Sequence, residues 1–206
     1  MDWSPDQSPQ AGAPPVTKTS DTPSVAAGLR LIQDELAGAA DGLQEDQVAA
    51  LATEIQRARR VFVTGGGRSG LALRMHAMRL MHLGLTVHVV GETTTPAIAS
   101  GDLLIVASGS GTTAGAVAAA ETAVSVEARV VALTTDGESK LAGLAHHVVV
   151  IPAAQKTDHR GTASRQYSGS LFEQALLLVL DATFHTLWKA DGTSAEDLWP
   201  RHANLE

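Results

Sequence analysis

Two turns carry the side chains of this sequence best suited to gripping an anion. The first closes Val61-Phe62-Val63-Thr64-Gly65-Gly66-Gly67-Arg68-Ser69-Gly70, a β-branched apolar run that stops at three glycines and leads straight into Leu71, Leu73, Met75, Met78, Leu80 and Met81 at helical spacing. That pattern reads as a buried strand, a tight turn and a helix. Glycine lets the backbone approach a ligand closely, and the free N–H groups of the helix's first turn point there with the positive end of the dipole behind them. Phosphate is the usual occupant of such a site. The second turn, Ser108-Gly109-Ser110-Gly111-Thr112-Thr113, follows the unbroken apolar run Leu103–Ala107 and opens an alanine-rich helix. A Ser/Thr helix cap accounts for one of its four hydroxyls but not for all of them. In an open parallel sheet both turns lie at the carboxyl ends of the strands and face one crevice. A phosphate held there gains about 1.5–3 kcal/mol per charge-assisted hydrogen bond before desolvation. Hydroxyls without a lysine suit a monophosphate; a triphosphate needs a Lys and Mg²⁺ apparatus that these loops lack.

A competing reading starts from the same residues. Gly65-x-Gly67-x-x-Gly70 satisfies the dinucleotide fingerprint, and Glu92 follows Gly70 at about the distance of a ribose-binding acid. Against it, Arg68 and Ser69 occupy the turn and Glu92 falls beyond the second strand, after a glycine. A third reading makes the glycines a device for close packing of helix on sheet. Arg68 either touches the anion or pairs with a surface acid. The histidines carry less. His76 and His82 lie six apart on one helix, which is no ligand spacing, and His82 reads as a cation at a helix carboxyl end. His88, His146, His147, His159 and His185 form no metal set, so no metal is expected.

These residues need an α/β frame to hold them. The 206-residue chain is 44% hydrophobic, enough for a full core, with a formal charge of -7 and no Lys/Arg cluster. Nucleic acid and anionic membrane are therefore not expected as partners. Aromatics at 3% make stacking a minor recognition device. The chain has no cysteine, leader pattern or membrane-length apolar run, which points to a reducing, cytoplasmic location. Residues 1–23, with five prolines among polar residues, read as a disordered tail. Ser24 caps a first helix, with a second after Asp41-Gly42; their apolar stripes predict a core face, part of which could meet another subunit. Strands are expected at Val61, Leu85–Val90, Leu103–Ala107, Arg129–Thr134 and His147–Ile151, alternating with helices. The fold class is α/β: a three-layer α/β/α sandwich on a five-stranded parallel sheet, flanked by extra N-terminal and C-terminal helices. The polar connection Pro152–Gly169, with Lys156, Arg160, Arg165 and Gln166, is long enough for a functional loop such as a lid, with disorder as the competing reading. Ser170 caps a long apolar helix to Trp188, and a last short helix follows Gly192.

The two turns together resemble the sugar isomerase (SIS) domain family, whose sheet is flavodoxin-like. More narrowly, Met78-Arg79-Leu80-Met81-His82-Leu83-Gly84, Gly91-Glu92-Thr93-Thr94-Thr95-Pro96-Ala97-Ile98, Leu171-Phe172-Glu173-Gln174 and Arg201-His202-Ala203-Asn204-Leu205-Glu206 resemble the 6-phospho-3-hexuloisomerases. The resemblance runs from about Ser24 to the end and implies one SIS domain over residues 24–206. It implies interconversion of D-arabino-hex-3-ulose 6-phosphate and fructose 6-phosphate through a cis-enediolate, in the ribulose monophosphate route for formaldehyde, with no metal or cofactor. A non-catalytic sugar-phosphate-binding SIS module is the alternative that the same fold implies. Glu173 is the base carried over, since one carboxylate can take the C2 proton and return it to C3. His202 is the proton shuttle, supplied in such isomerases by a neighbouring subunit of a homo-oligomer, typically a tetramer. Gly67, Arg68, Ser69, Ser108, Ser110, Thr112, Thr113 and Glu92 are the expected substrate and phosphate contacts. Gly66 departs from the family, which often has serine, alanine or threonine in that part of the loop.

Overall fold

A computed structural model describes residues 24–154 and 164–205. The tail at residues 1–23 and the lid residues Lys156 and Arg160 lie outside the described residues.

The elements follow the alternation of apolar runs: α1 (Val25–Asp41), α2 (Glu45–Arg57), β1 (Val61–Gly65), α3 (Gly67–His82), β2 (Val87–Val89), β3 (Leu103–Ala107), α4 (Ala114–Ser125), β4 (Arg129–Thr134), α5 (Lys140–Leu144), β5 (His147–Val150), α6 (Ser170–Asp191) and α7 (Ala195–Leu198), then a 3₁₀ turn at Trp199–Arg201. All strand pairs are parallel, in the order β2-β1-β3-β4-β5. Alternate strand residues divide the core between the two faces of the sheet. Val61, Val63, Leu103, Ile105, Val131, Leu133 and Val149 join α2, α3 and α6 on one face; Phe62, Leu104, Val106, Val130 and Ala132 join α4 and α5 on the other. Leu51 and Ile55 of α2 are fully buried, each worth roughly 1.5–3 kcal/mol of transfer free energy. The amino edge of the sheet is tied by ion pairs. Buried Asp102 accepts from Arg59, Arg60 and the Ala99 N–H, and Glu54 of α2 holds Arg129 at the start of β4.

Four details differ from expectation. β2 is three residues long because the Leu85 N–H bonds back to the Leu80 carbonyl, closing α3 rather than joining the sheet. Ser170 is not a cap: Gly169, at φ 83°, holds that position, and Ser170 is the first helical residue. The core face expected for α1 exists only toward its carboxyl end, where Ala39 is buried and Leu36 packs on the core; Val25 and Leu29 are exposed. His82 is no surface cation: it is 3% exposed, and burial, followed by the nearby charges of His202 and Arg79, pushes its imidazole pKa down.

Candidate active site

The chain runs from β1 outward to β2, then crosses back over β1 to β3, so β1 and β3 flank the point where strand order reverses. Ligands of open α/β sheets bind outside the carboxyl ends of such a pair. Gly65 and Ala107 are register partners, so the two glycine-containing turns leave the sheet side by side.

The turn after β1 is nearly all helix: Gly66 is the N-cap, and Gly67, Arg68 and Ser69 form the first turn of α3. Two of its glycines serve packing, as the third reading held, because a Cβ on Gly70 would collide with the Gly65 carbonyl oxygen. Gly67 is different. It has open space around it but sits at φ 56°, a conformation that side chains disfavour. Gly66 would accept a small side chain, since a Cβ there meets only Thr113 Cγ2 at 3.8 Å. That contact shows how closely the two loops approach, and it fits the family's tolerance at this position. Ser69 is buried, whereas Gly66, Gly67 and Arg68 are exposed.

The loop after β3 is pinned from beneath. The Gly109 carbonyl accepts from the Thr135 N–H (3.0 Å), the Thr135 hydroxyl (2.8 Å) and the Thr134 hydroxyl (3.1 Å). Ser108 is buried and its hydroxyl lies 2.9 Å from that of Thr113; Ser110 and Thr112 make a second hydroxyl pair at 2.9 Å. Thr113 holds the N-cap position of α4 without a side-chain capping bond. The hydroxyls therefore bond to one another, as donors and acceptors that a phosphate could recruit.

A third element completes the crevice. α6 begins at left-handed Gly169, whose carbonyl accepts the Glu173 N–H at 3.2 Å. The Phe172 ring packs on the Gly109 backbone so tightly that a Cβ there would lie 3.2 Å from Cδ1. Glu173 is 8% exposed, and its Oε2 lies 3.1 Å from Nε of the exposed Arg68. Arg68 thus pairs with an acid, but a buried one and not the surface acid expected: the carboxylate of Glu173. Glu35 of α1 steadies the approach to α6, accepting from the Ser164 hydroxyl (2.6 Å), the Arg165 N–H (2.8 Å) and the Gln166 amide (2.9 Å). Burial pushes the Glu35 carboxyl up, but these bonds and the Arg165 charge outweigh it and hold its pKa below the usual carboxylate value.

Gly67, Arg68, Ser108, Ser110, Thr112, Thr113 and Glu173 are therefore brought together at the carboxyl ends of β1 and β3, whereas the expected contact Ser69 is buried in the first turn of α3. Two expected residues point elsewhere. Glu92 is half-exposed and pairs with Arg74 of α3 at 2.7 Å. His202 stacks on His82, at the far end of α3 from Arg68; fourteen helical residues put those ends about 21 Å apart. Sequence reasoning passed over Glu35 and Phe172. Phe172 stands beside Glu173 and could have been marked as the residue fixing it; no pattern in the sequence marks Glu35. Among the described residues no group of three or more His, Asp or Glu side chains is gathered to hold a metal.

A parallel 2-1-3-4-5 sheet with its switch point between β1 and β3 defines a doubly wound α/β protein of the flavodoxin-like class. The SIS domain model matches residues 54–178, and the chain belongs to the SIS domain family. Within that family it is 62% identical over 178 residues to 3-hexulose-6-phosphate isomerase of Mycobacterium gastri, covering 86% of this chain and 89% of the relative. It is 40% identical to the Bacillus subtilis protein of that name, over 85% of this chain and 95% of the relative. A solved Methanococcus jannaschii structure, for which a 3-hexulose-6-phosphate isomerase function was inferred, superposes with a TM-score of 0.76 at 28% identity, over 87% of this chain and 99% of that one.

Proposed function

We propose that the chain is an isomerase interconverting D-arabino-hex-3-ulose 6-phosphate and fructose 6-phosphate. The observation that carries this reading is the buried Glu173 carboxylate beside two lysine-free anion loops, in a chain 62% identical to a 3-hexulose-6-phosphate isomerase. The 6-phosphate is held by the hydroxyls of Ser110, Thr112 and Thr113 and by N–H groups of the Gly66–Ser69 turn. Glu173 takes the proton from C2 of the 3-ulose. The C–H electron pair becomes the C2–C3 double bond, and the C3 carbonyl oxygen takes up the negative charge as a cis-enediolate. The same carboxyl group then returns a proton to C3 as the C2 oxygen becomes the carbonyl. Arg68 lies where it can offset the enediolate charge, and His202 moves the hydroxyl proton from O2 to O3. No electrons leave the substrate, so this sequence of steps calls for no redox cofactor.

His202 reaches the site from a second copy. Leu71, Met75 and Met78 form an apolar stripe on α3, each more than half exposed, and helical spacing aligns it with His82 at its end. A second copy laid antiparallel on that stripe covers it and carries its own His202 about 21 Å back toward Glu173. The assembly is a homotetramer with shared sites, residues 24–206 belong to one SIS domain, and the absence of cysteine suits the cytoplasm. No helix among the described residues is long and apolar enough to cross a membrane.

Incubating the protein with fructose 6-phosphate and following the carbon spectrum by NMR tests the reaction. A C3 carbonyl signal should grow to an equilibrium level. NAD(H) binding combined with no affinity for fructose 6-phosphate would overturn the reading.

A further inference from the structure

At the carboxyl end of α3 a small aromatic cluster encloses one side chain. The His202 ring stacks on His82, with centroids 4.1 Å apart and planes 29° apart, and its other neighbour is Trp199 at 4.6 Å. His202 Nδ1 lies 3.1 Å from the Trp199 carbonyl oxygen, which also accepts the His202 backbone N–H at 3.0 Å. A carbonyl oxygen only accepts, so in the neutral ring Nδ1 carries the hydrogen and Nε2 the lone pair. Arg201 fastens this hook to the helix, donating from Nη1 to the His82 carbonyl at 2.8 Å. Its guanidinium lies over Gly84, where a Cβ would come within 3.1 Å.

His82 itself is the unexpected part. Its Nδ1 is buried without a hydrogen-bond partner among the described residues, an arrangement that costs stability relative to an aliphatic side chain. Burial, and then the charges of His202 and Arg79, push its pKa down. What it supplies in return is a flat face stacked against His202.

We propose that His82, Trp199 and Arg201 form a seat that fixes the His202 imidazole in one orientation and one tautomer, with Nε2 as the proton-exchanging atom. His82 is a positioning residue: it acts through His202 and touches no substrate. The kinetic consequence rests on the reading of His202 as the shuttle; the tautomer does not.

The test uses the full chain, ¹⁵N-labelled on histidine, with NMR of the ring nitrogens alongside kinetics on fructose 6-phosphate. The expected spectrum shows His202 as the Nδ1–H tautomer. His82→Ala should mix the tautomers and lower kcat roughly tenfold or more with KM nearly unchanged, the signature of lost orientation. His82→Phe keeps the flat face and should restore both the tautomer and most of kcat. Trp199→Ala, at an exposed position, should loosen the ring from the other side and keeps the test open if His82→Ala fails to fold. An Nε2–H tautomer in the unaltered protein, or unchanged kcat and tautomer in both alanine variants, would overturn the seat. Full activity in His202→Ala would instead remove the shuttle role, while the spectrum still decides whether the seat exists.

Discussion

At the amino end of α3, Gly67 and Arg68 lie beside a hydroxyl loop and Glu173; at the carboxyl end, His82, Arg201, Trp199 and His202 close into an aromatic knot. The first end has backbone N–H groups and hydroxyls ready to donate, one buried carboxylate and one exposed guanidinium. In the proposed mechanism the first end binds the anion and moves a proton on carbon, and the second supplies the proton-exchanging ring. On that proposal one helix carries a binding and abstracting half-site and a proton-shuttling half-site about 21 Å apart, and the proposed antiparallel copy reunites them.

The most severe way to break this arrangement is at the abstracting end. Glu173→Gln should lower kcat by roughly 10²–10⁴-fold, the range for a lost general base, while fructose 6-phosphate still binds; full activity would remove Glu173 from the role. The division between copies is sharpened by pairing two dead variants. Glu173→Gln mixed with His202→Ala by co-expression should regain activity at sites that join an intact Glu173 to an intact His202 of the other copy. No recovery would place both groups in one subunit.

A smaller effect is expected at the contact that sets Glu173 against the phosphate loop. Gly109→Ala must displace the Phe172 ring, costing about 1–3 kcal/mol of stability. It should also lower kcat roughly tenfold as Glu173 shifts with its neighbour, readable as a kcat loss with intact folding by circular dichroism. Unchanged kcat would uncouple the two elements.

The smallest effect on activity is expected midway along α3. His76 is fully buried, neither ring nitrogen has a partner among the described residues, and burial pushes its pKa down to about 4. The unfolded chain, titrating near 6.5, binds more protons between those values. Stability is therefore undiminished above pH 6.5 and falls with acid, by roughly 3 kcal/mol at pH 4. His76→Leu should flatten that part of the denaturation profile and leave activity at pH 7.5 intact; an unchanged profile would show that His76 is not the group titrating.

The order of strands and helices was legible because each apolar run carries its own period and its own glycine stop. Both anion loops could be found for the same reason. The reasons for individual glycines could not, since Gly65 and Gly70 are dictated by the strand and helix touching, which spacing alone does not distinguish from ligand approach. Long-range pairings were also hidden. Arg68 and Glu173 lie far apart in sequence, as do Glu35 and the Ser164–Gln166 segment, and only α3 and α1 packing on α6 brings them together. His82 was misread because a helix-end histidine is usually solvated; here the C-terminal hook covers it. The family resemblance, rather than any periodicity, singled out Glu173 and His202.

Proton exchange by Glu173 on substrate carbon is tested most directly by incubating fructose 6-phosphate with the protein in D₂O and following it by NMR. Deuterium should enter at C3 of the ketose, and at C2 of the 3-ulose that forms, with both lost in Glu173→Gln. Binding of fructose 6-phosphate without carbon-bound deuterium above the buffer rate would contradict it.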